Sequence, residues 1–215
     1  MDLITTRAGL DGNLLKLLGK EAIILRGRGG TGKTVILLQL AYKTYRDRYS
    51  RTLFLTYNLA LLADVRRVMG LLGIPSNYGA GGIRVESSIS FFGRVLKRAD
   101  LIPDDVDFMD SYEDSLRSLN EMLNAGDVSL DEIKALLKND KELFEYDYVM
   151  IDEAQTLDGS VLEELRMLSN LETSKEKILQ ILLSGQTELE DTLRRPALRQ
   201  LRQRIAVRTV LKPVR

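Results

Sequence analysis

Apolar and polar positions alternate along the chain in blocks whose period switches between that of strands and that of helices. Short apolar runs occur at residues 21–26 (EAIILR), 52–57 (TLFLTY), 146–151 (YDYVMI), 178–183 (ILQILL) and 205–211, with a shorter run at 83–85. Runs this short, rich in β-branched and aromatic residues, read as buried strands. Between them, residues 35–45, 59–72, 90–98, 161–168 and 187–204 carry apolar residues at helical spacing, the last interrupted at Pro196. The second helix has a clear stop at Gly73, with Pro75 beyond it. Residues 1–20 form an approach segment with a short amphipathic stretch at 14–18, and residues 78–82 read as a glycine-rich loop. Strands that alternate with helices predict right-handed βαβ units. The expected fold is therefore α/β, a three-layer sandwich around a mainly parallel sheet. Residues 1–215 read as a single domain, with 100–145 as an acidic helical insertion within it.

Composition narrows the chemistry. The chain has no Cys and no His, which removes disulfides, thiolate chemistry, imidazole-ligated zinc and Ser-His-Asp catalysis. A bound metal would be a hard cation held by oxygens, such as magnesium. No apolar run approaches the roughly 18 residues of a membrane span, and the N-terminus does not resemble a signal peptide, so the expected setting is cytoplasmic. The 31 basic and 31 acidic groups cancel only in sum. Residues 1–99 carry 16 basic and 6 acidic groups, 100–147 carry 4 and 15, 148–193 carry 3 and 10, and 194–215 carry 8 and none. Blocks of one sign point to faces that meet different partners.

Residues 27–34, GRGGTGKT, satisfy G-x-x-x-x-G-K-[ST] between a predicted strand and a predicted helix. Glycines at 27, 29, 30 and 32 let the backbone curl so that successive N–H groups face an anion, and the helix N-terminus adds positive potential. Gly27, Gly29, Gly30, Thr31, Gly32, Lys33 and Thr34 are thus the expected cradle for the phosphates of a nucleoside triphosphate, with Lys33 on the outer phosphates and the Thr34 hydroxyl on Mg2+. The alternative is a glycine-rich turn with an incidental lysine. YDYVMIDEAQ supplies the carboxylates such a loop needs: Asp152 for the metal and Glu153 as catalytic base toward water. Taken alone, this pair also fits a helix start enriched in acidic residues.

The adjacent acidic pair resembles the additional-strand catalytic-glutamate branch of P-loop NTPases. That resemblance implies a RecA/AAA-like sheet in which another strand lies between the phosphate-loop strand and the Asp152 strand. ILQILLSGQ is the candidate, and it would bring Ser184 and Gln186 near the γ-phosphate, Gln186 as a sensor of hydrolysis or a polar helix cap. LRGRGGTGKT, LFLTYNLALLADVRRVM, VESSISFFGRVL and YDYVMIDEAQ, over residues 21–156, resemble UvrD-like superfamily 1 helicases. This resemblance implies single-stranded DNA contacts at Thr56, Asn58, Ser88 and Phe92, with Phe92 as a stacking surface; plain core packing is the alternative for both Phe91 and Phe92, and the preferred one for Phe91. Ser88 stands where many relatives have His.

Residues 150–210 resemble ExeA/GspA-type AAA+ ATPases instead. There the resemblance implies an arginine finger, with Arg204 the best placed and Arg202 and Arg199 as alternatives to it. A solvated basic helix is the plainer account. A finger acting in trans implies self-association. IDEAQ is common to both resemblances, which implies either a chimera joined at a shared motif or one natural family combining both features. Neither a second RecA-like domain nor a helical lid is legible before Arg215. The sequence therefore predicts an ATPase core with slow or no turnover in isolation. The competing functions are a nucleic-acid-binding module and an assembly module with little catalysis.

Overall fold

The structure is a computed structural model that describes residues 18, 22–76, 81–98, 100, 102–103, 105, 114, 118, 121–122, 125, 146–157, 159, 162 and 180–211. Within 1–20, 100–145 and 161–168, nearly all of what the sequence predicts lies outside these residues. The chain divides into two compact units, Met1–Val85 with Tyr146–Arg215, and Glu86–Glu145.

The described strands form one six-stranded sheet. Its strands are β1 (Ala22–Arg26), β2 (Arg51–Thr56), β3 (Gly82–Ser87), β4 (Tyr148–Asp152), β5 (Gln180–Gly185) and β6 (Ile205–Val210), in the spatial order β3-β2-β4-β5-β1-β6. The pairings of β1 with β5 and β6, of β2 with β4 and of β4 with β5 are parallel. β5 lies between β4 and β1, the inserted position expected from the acidic pair.

The strands read as continuous apolar runs because both faces are covered. Ile23, Leu25, Phe54, Met150 and Leu182 join one core with Ile36, Leu37 and Leu40 of helix α1 (Lys33–Arg48) and Leu62, Val65 and Met69 of helix α2 (Leu59–Leu71). Residues of the opposite parity, Ile24, Leu53, Leu55, Val149, Ile151, Ile181 and Leu183, are buried as well. Each such side chain contributes about 1.5–3 kcal/mol when fully buried.

Local chemistry sets the helix ends. The α1 helix starts two residues before the apolar periodicity does, because Gly32 is left-handed (φ 81°) and its carbonyl accepts the first helical bond from Ile36 N at 3.0 Å. Its other end is a left-handed Tyr49 (φ 53°). Asn58 caps α2, its Oδ1 accepting from Ala60 N at 3.0 Å and Leu61 N at 3.1 Å. That helix ends at Gly73, whose positive φ of 66° lets the chain turn away. After β5 come helix α4 (Thr187–Leu193), a 3-10 turn at Pro196–Leu198 and helix α5 (Arg199–Arg204), so the break falls at the predicted proline.

In the second unit, helix α3 (Ser88–Arg98) starts where Ser87 Oγ accepts from Ser90 N at 3.0 Å. Arg94 pairs with Glu86 at 2.6 Å and lies over the Phe91 ring. Phe91 and Phe92 pack edge to face, 5.4 Å between centroids.

Candidate functional site

Three strand ends meet at the carboxyl edge of the sheet, the edge where parallel α/β folds bind ligands. The loop after β1 carries residues 27–34, β4 ends at Asp152, and β5 ends at Gly185. In-register pairing of Leu25 with Ser184 and of Arg26 with Gly185 sets β5 directly beside the loop. Gly27 N donates to Gly185 O at 3.3 Å.

The loop curls as its glycines require, with Gly30 at φ 74° and Gly32 at φ 81°. Thr31 is buried, its Oγ1 donating to Arg28 O at 2.9 Å. Lys33 is folded inward, its Nζ donating to Gly27 O at 2.9 Å and to Arg28 O at 3.0 Å. The ammonium thus rests on the loop's own carbonyls.

Asp152 is buried, 1% exposed, and collects three donors. The Thr34 hydroxyl donates to its Oδ2. Ser184 Oγ donates to Oδ1 at 2.8 Å, and Glu153 N donates to Oδ1 at 3.1 Å. A buried carboxylate is costly unless its lone pairs are satisfied, and here hydroxyls and an amide do so. Two hydroxyls and a carboxylate are hard oxygen donors of the kind that suits Mg2+, so the residues present fit that ion. Sequence proximity joins only Asp152 to Glu153; residues 34, 152 and 184 come together through the sheet order.

Glu153 follows in the left-handed region, φ 55°, unusual for a non-glycine residue and a conformation that turns the chain sharply off the strand. Thr156 pins this turn, its N–H and hydroxyl both donating to Glu153 O at 2.9 and 2.7 Å. Gln186 precedes α4 without a side-chain capping bond. Its backbone N–H donates to Gln155 Oε1 at 3.1 Å.

Gln155 was present in the sequence motif without a role, because its partner lies 31 residues away. Also illegible was a carboxylate shared by two arginines: Glu190 of α4 meets Arg26 at 3.3 Å and Arg208 at 3.7 Å. Opposite charges in the sequence hinted at such pairing, but not at these partners.

Packing is tight where β5 turns into α4. A Cβ on Gly185 would lie 2.6 Å from Leu189 Cδ2 and 3.0 Å from Gln155 Oε1. With Leu189 fully buried, Gly185→Ala is expected to cost about 1–3 kcal/mol, which lowers the melting temperature by about 2–4 degrees per kcal/mol. An unchanged melting curve would show that this contact yields freely.

The residues expected at DNA are placed differently. Thr56 is buried, its Oγ1 accepting from Asn58 N at 3.2 Å, and Asn58 is exposed but engaged as the α2 cap. Ser88 and Phe92 belong to the second unit and are 1% and 2% exposed. A buried ring has no open face for a base to stack on, so Phe92 packs here as Phe91 does. Arg204 closes α5, and its side chain lies outside the described residues. Arg199 is exposed and Arg202 half-buried on the same helix.

Comparison with known proteins bears on the family and the fold. The profile of a family described as AAA domain (AAA_22) matches residues 17–193, running through both halves of the chain. A stretch of 66 residues, 31% of the chain, is 56% identical to General secretion pathway protein A of Aeromonas hydrophila and spans 12% of that protein's length. The Pif1 helicase of Candida albicans superposes with a TM-score of 0.52 at 16% identity, over 94% of this chain and 38% of that one. The second likeness is one of fold. Among the described residues no helix is long and apolar enough to cross a membrane.

Proposed function

This chain belongs to the AAA domain family, and we propose that it binds ATP with Mg2+ at the β1–α1 loop and hydrolyses it, slowly when alone. The observation that carries this reading is the convergence of the Thr34 and Ser184 hydroxyls on Asp152, beside a phosphate loop whose lysine is folded into it.

In this reading the amides of residues 29–34 hold the phosphates. Lys33 exchanges the carbonyls of Gly27 and Arg28 for the β- and γ-phosphate oxygens, a charge-assisted bond for a neutral acceptor. Thr34 and Asp152 hold Mg2+, which when bound neutralises phosphate charge. Glu153, projected off the strand end by its left-handed backbone, accepts a proton from the attacking water. Ser184 keeps Asp152 oriented. Gln186 reads the γ-phosphate, held at its backbone by Gln155.

Arg204 is the proposed finger, donated to the nucleotide of a neighbouring copy. Such a residue is worth about 10³–10⁵ in rate, which is why the isolated chain is slow. Residues 100–145 are an insertion, and single-stranded DNA is the polymer partner.

The test is ATP affinity with and without Mg2+, in the parent and in Asp152→Asn. The parent is expected to gain about tenfold from Mg2+, and the variant to lose that gain. Equal Mg2+ dependence in the two proteins would remove Asp152 from the site, and fast turnover by a monomer would contradict the role of a neighbouring copy.

A further inference from the structure

The end of α1 remote from the phosphate loop closes on a tyrosine in a conformation that helix ends usually give to glycine. Tyr49 takes the left-handed conformation at φ 53° and ψ 33°. Glycine is the usual residue there, because a Cβ crowds the following carbonyl and a bulky side chain makes the conformation an outlier. The surrounding backbone enforces it. Tyr49 N donates to Tyr45 O at 2.8 Å, Gly82 N donates to Ser50 O at 3.2 Å, and Gly81 leaves no room for a Cβ against the Tyr49 carbonyl. The strained residue nevertheless spends little of its side chain on the core: it is 69% exposed, with its ring edge-on to Tyr45 at 6.3 Å between centroids. Strain held in place without packing in return points to a role at the surface.

The helix end that carries the ring is basic in sequence. Arg46 and Arg48 occupy the last turn of α1, and Lys43 lies one turn earlier. Cations at a helix C-terminus are favourable in themselves, and Arg48 also donates to Tyr148 OH at 3.5 Å; this accounts for the arginines but not for an exposed aromatic ring next to them in the chain. Asp47 offsets part of the charge: it meets Arg46 at 2.9 Å and Lys43 at 3.5 Å, and the hydrogen bond from Arg46 keeps its carboxyl below the ordinary range. Arg51 faces Asp147 across the next turn. An exposed aromatic ring at a helix end that also carries guanidinium and ammonium groups is the combination that binds a flexible polyanion whose units each present a flat face.

We infer that the α1–β2 corner, centred on Tyr49 with Lys43, Arg46 and Arg48, is a binding surface for single-stranded nucleic acid, the ring stacking a base and the cations following the phosphates. This rests on the polymer-partner part of the proposed function and moves the contact away from Thr56, Ser88 and Phe92. Tyr49 is about 24 Å along α1 from Lys33, by the rise per residue of a helix. A base stacked on its ring therefore does not touch the nucleotide.

The experiment is fluorescence anisotropy of a labelled oligodeoxythymidine at about 50 mM salt and upward, with ATP binding measured on the same samples. Tyr49→Gly relieves the left-handed backbone, so the variant keeps its fold. Its oligonucleotide affinity is expected to fall between about fivefold and about a hundredfold, with ATP affinity unchanged. Tyr49→Phe keeps the ring and is expected to bind as the parent does. Arg46→Ala with Arg48→Ala is expected to flatten the salt dependence by about two phosphate contacts.

Equal affinity of parent and Tyr49→Gly would overturn this surface while leaving the polymer partner standing. Absence of oligonucleotide binding by the parent at low salt would overturn both. Failure of ATP binding in the parent would bear on the ATP reading alone.

Discussion

Glu153→Gln is expected to lower ATP turnover by about 10²–10⁴, the range attributed to a positioned general base, while ATP affinity stays at the parental level. The substitution keeps volume and hydrogen-bonding reach and removes only the proton-accepting carboxylate. The backbone at this position is already left-handed and tied through Glu153 O to Thr156, and nothing in that arrangement depends on the side-chain charge. Folding should therefore be unaffected, and the variant should hold ATP without turning it over. Single-turnover hydrolysis alongside equilibrium binding separates the two quantities. Turnover within about threefold of the parent, a difference worth under about 1 kcal/mol of barrier, would remove Glu153 as the base.

For Lys33→Ala, affinity for ATP should drop by about tenfold to a hundredfold, as expected for losing a charge-assisted hydrogen bond. Turnover should drop further, by about 10²–10³, because developing charge on the transferred group loses a fixed cation. The structure supplies a control on stability. Lys33 Nζ satisfies Gly27 O and Arg28 O, so its removal leaves two loop carbonyls without that donor, at about 1 kcal/mol per net bond. Arg28 is exposed, and water can replace the lost donor there. A small decrease in melting temperature with a large decrease in binding is the expected pair. A large loss of stability with retained affinity per folded molecule would assign Lys33 to loop structure instead.

The legible part of the site is contiguous in sequence. Residues 27–34 declare their purpose because the cradle is made of consecutive backbone amides, and the spacing of glycines, lysine and threonine is the geometry itself. Asp152 and Glu153 are legible for a similar reason: a carboxylate pair at the end of an apolar run must emerge at a strand end. The sheet order followed from what that pair resembles, and the position of β5 between β4 and β1 agrees with it.

The residues expected at DNA show what a motif leaves open. A motif match specifies residue types, not which way a side chain points, and Thr56, Ser88 and Phe92 turn inward. Tyr49 is illegible in the sequence for the converse reason. Sequence shows a tyrosine within a basic helical run, and only backbone angles reveal that it occupies a glycine's conformation.

The amino-acid sequence by itself determined the α/β alternation, the phosphate loop, the acidic strand end and the absence of thiol and imidazole chemistry, since each is a matter of neighbouring residues or of composition. Tertiary structure alone decided that Ser184 completes the Asp152 cluster, that Gln155 holds Gln186, that Glu190 serves Arg26 and Arg208 together, and that Tyr49 faces outward. Those pairings depend on strand register and helix position, which arise from packing the whole sheet and are encoded in no local stretch of chain.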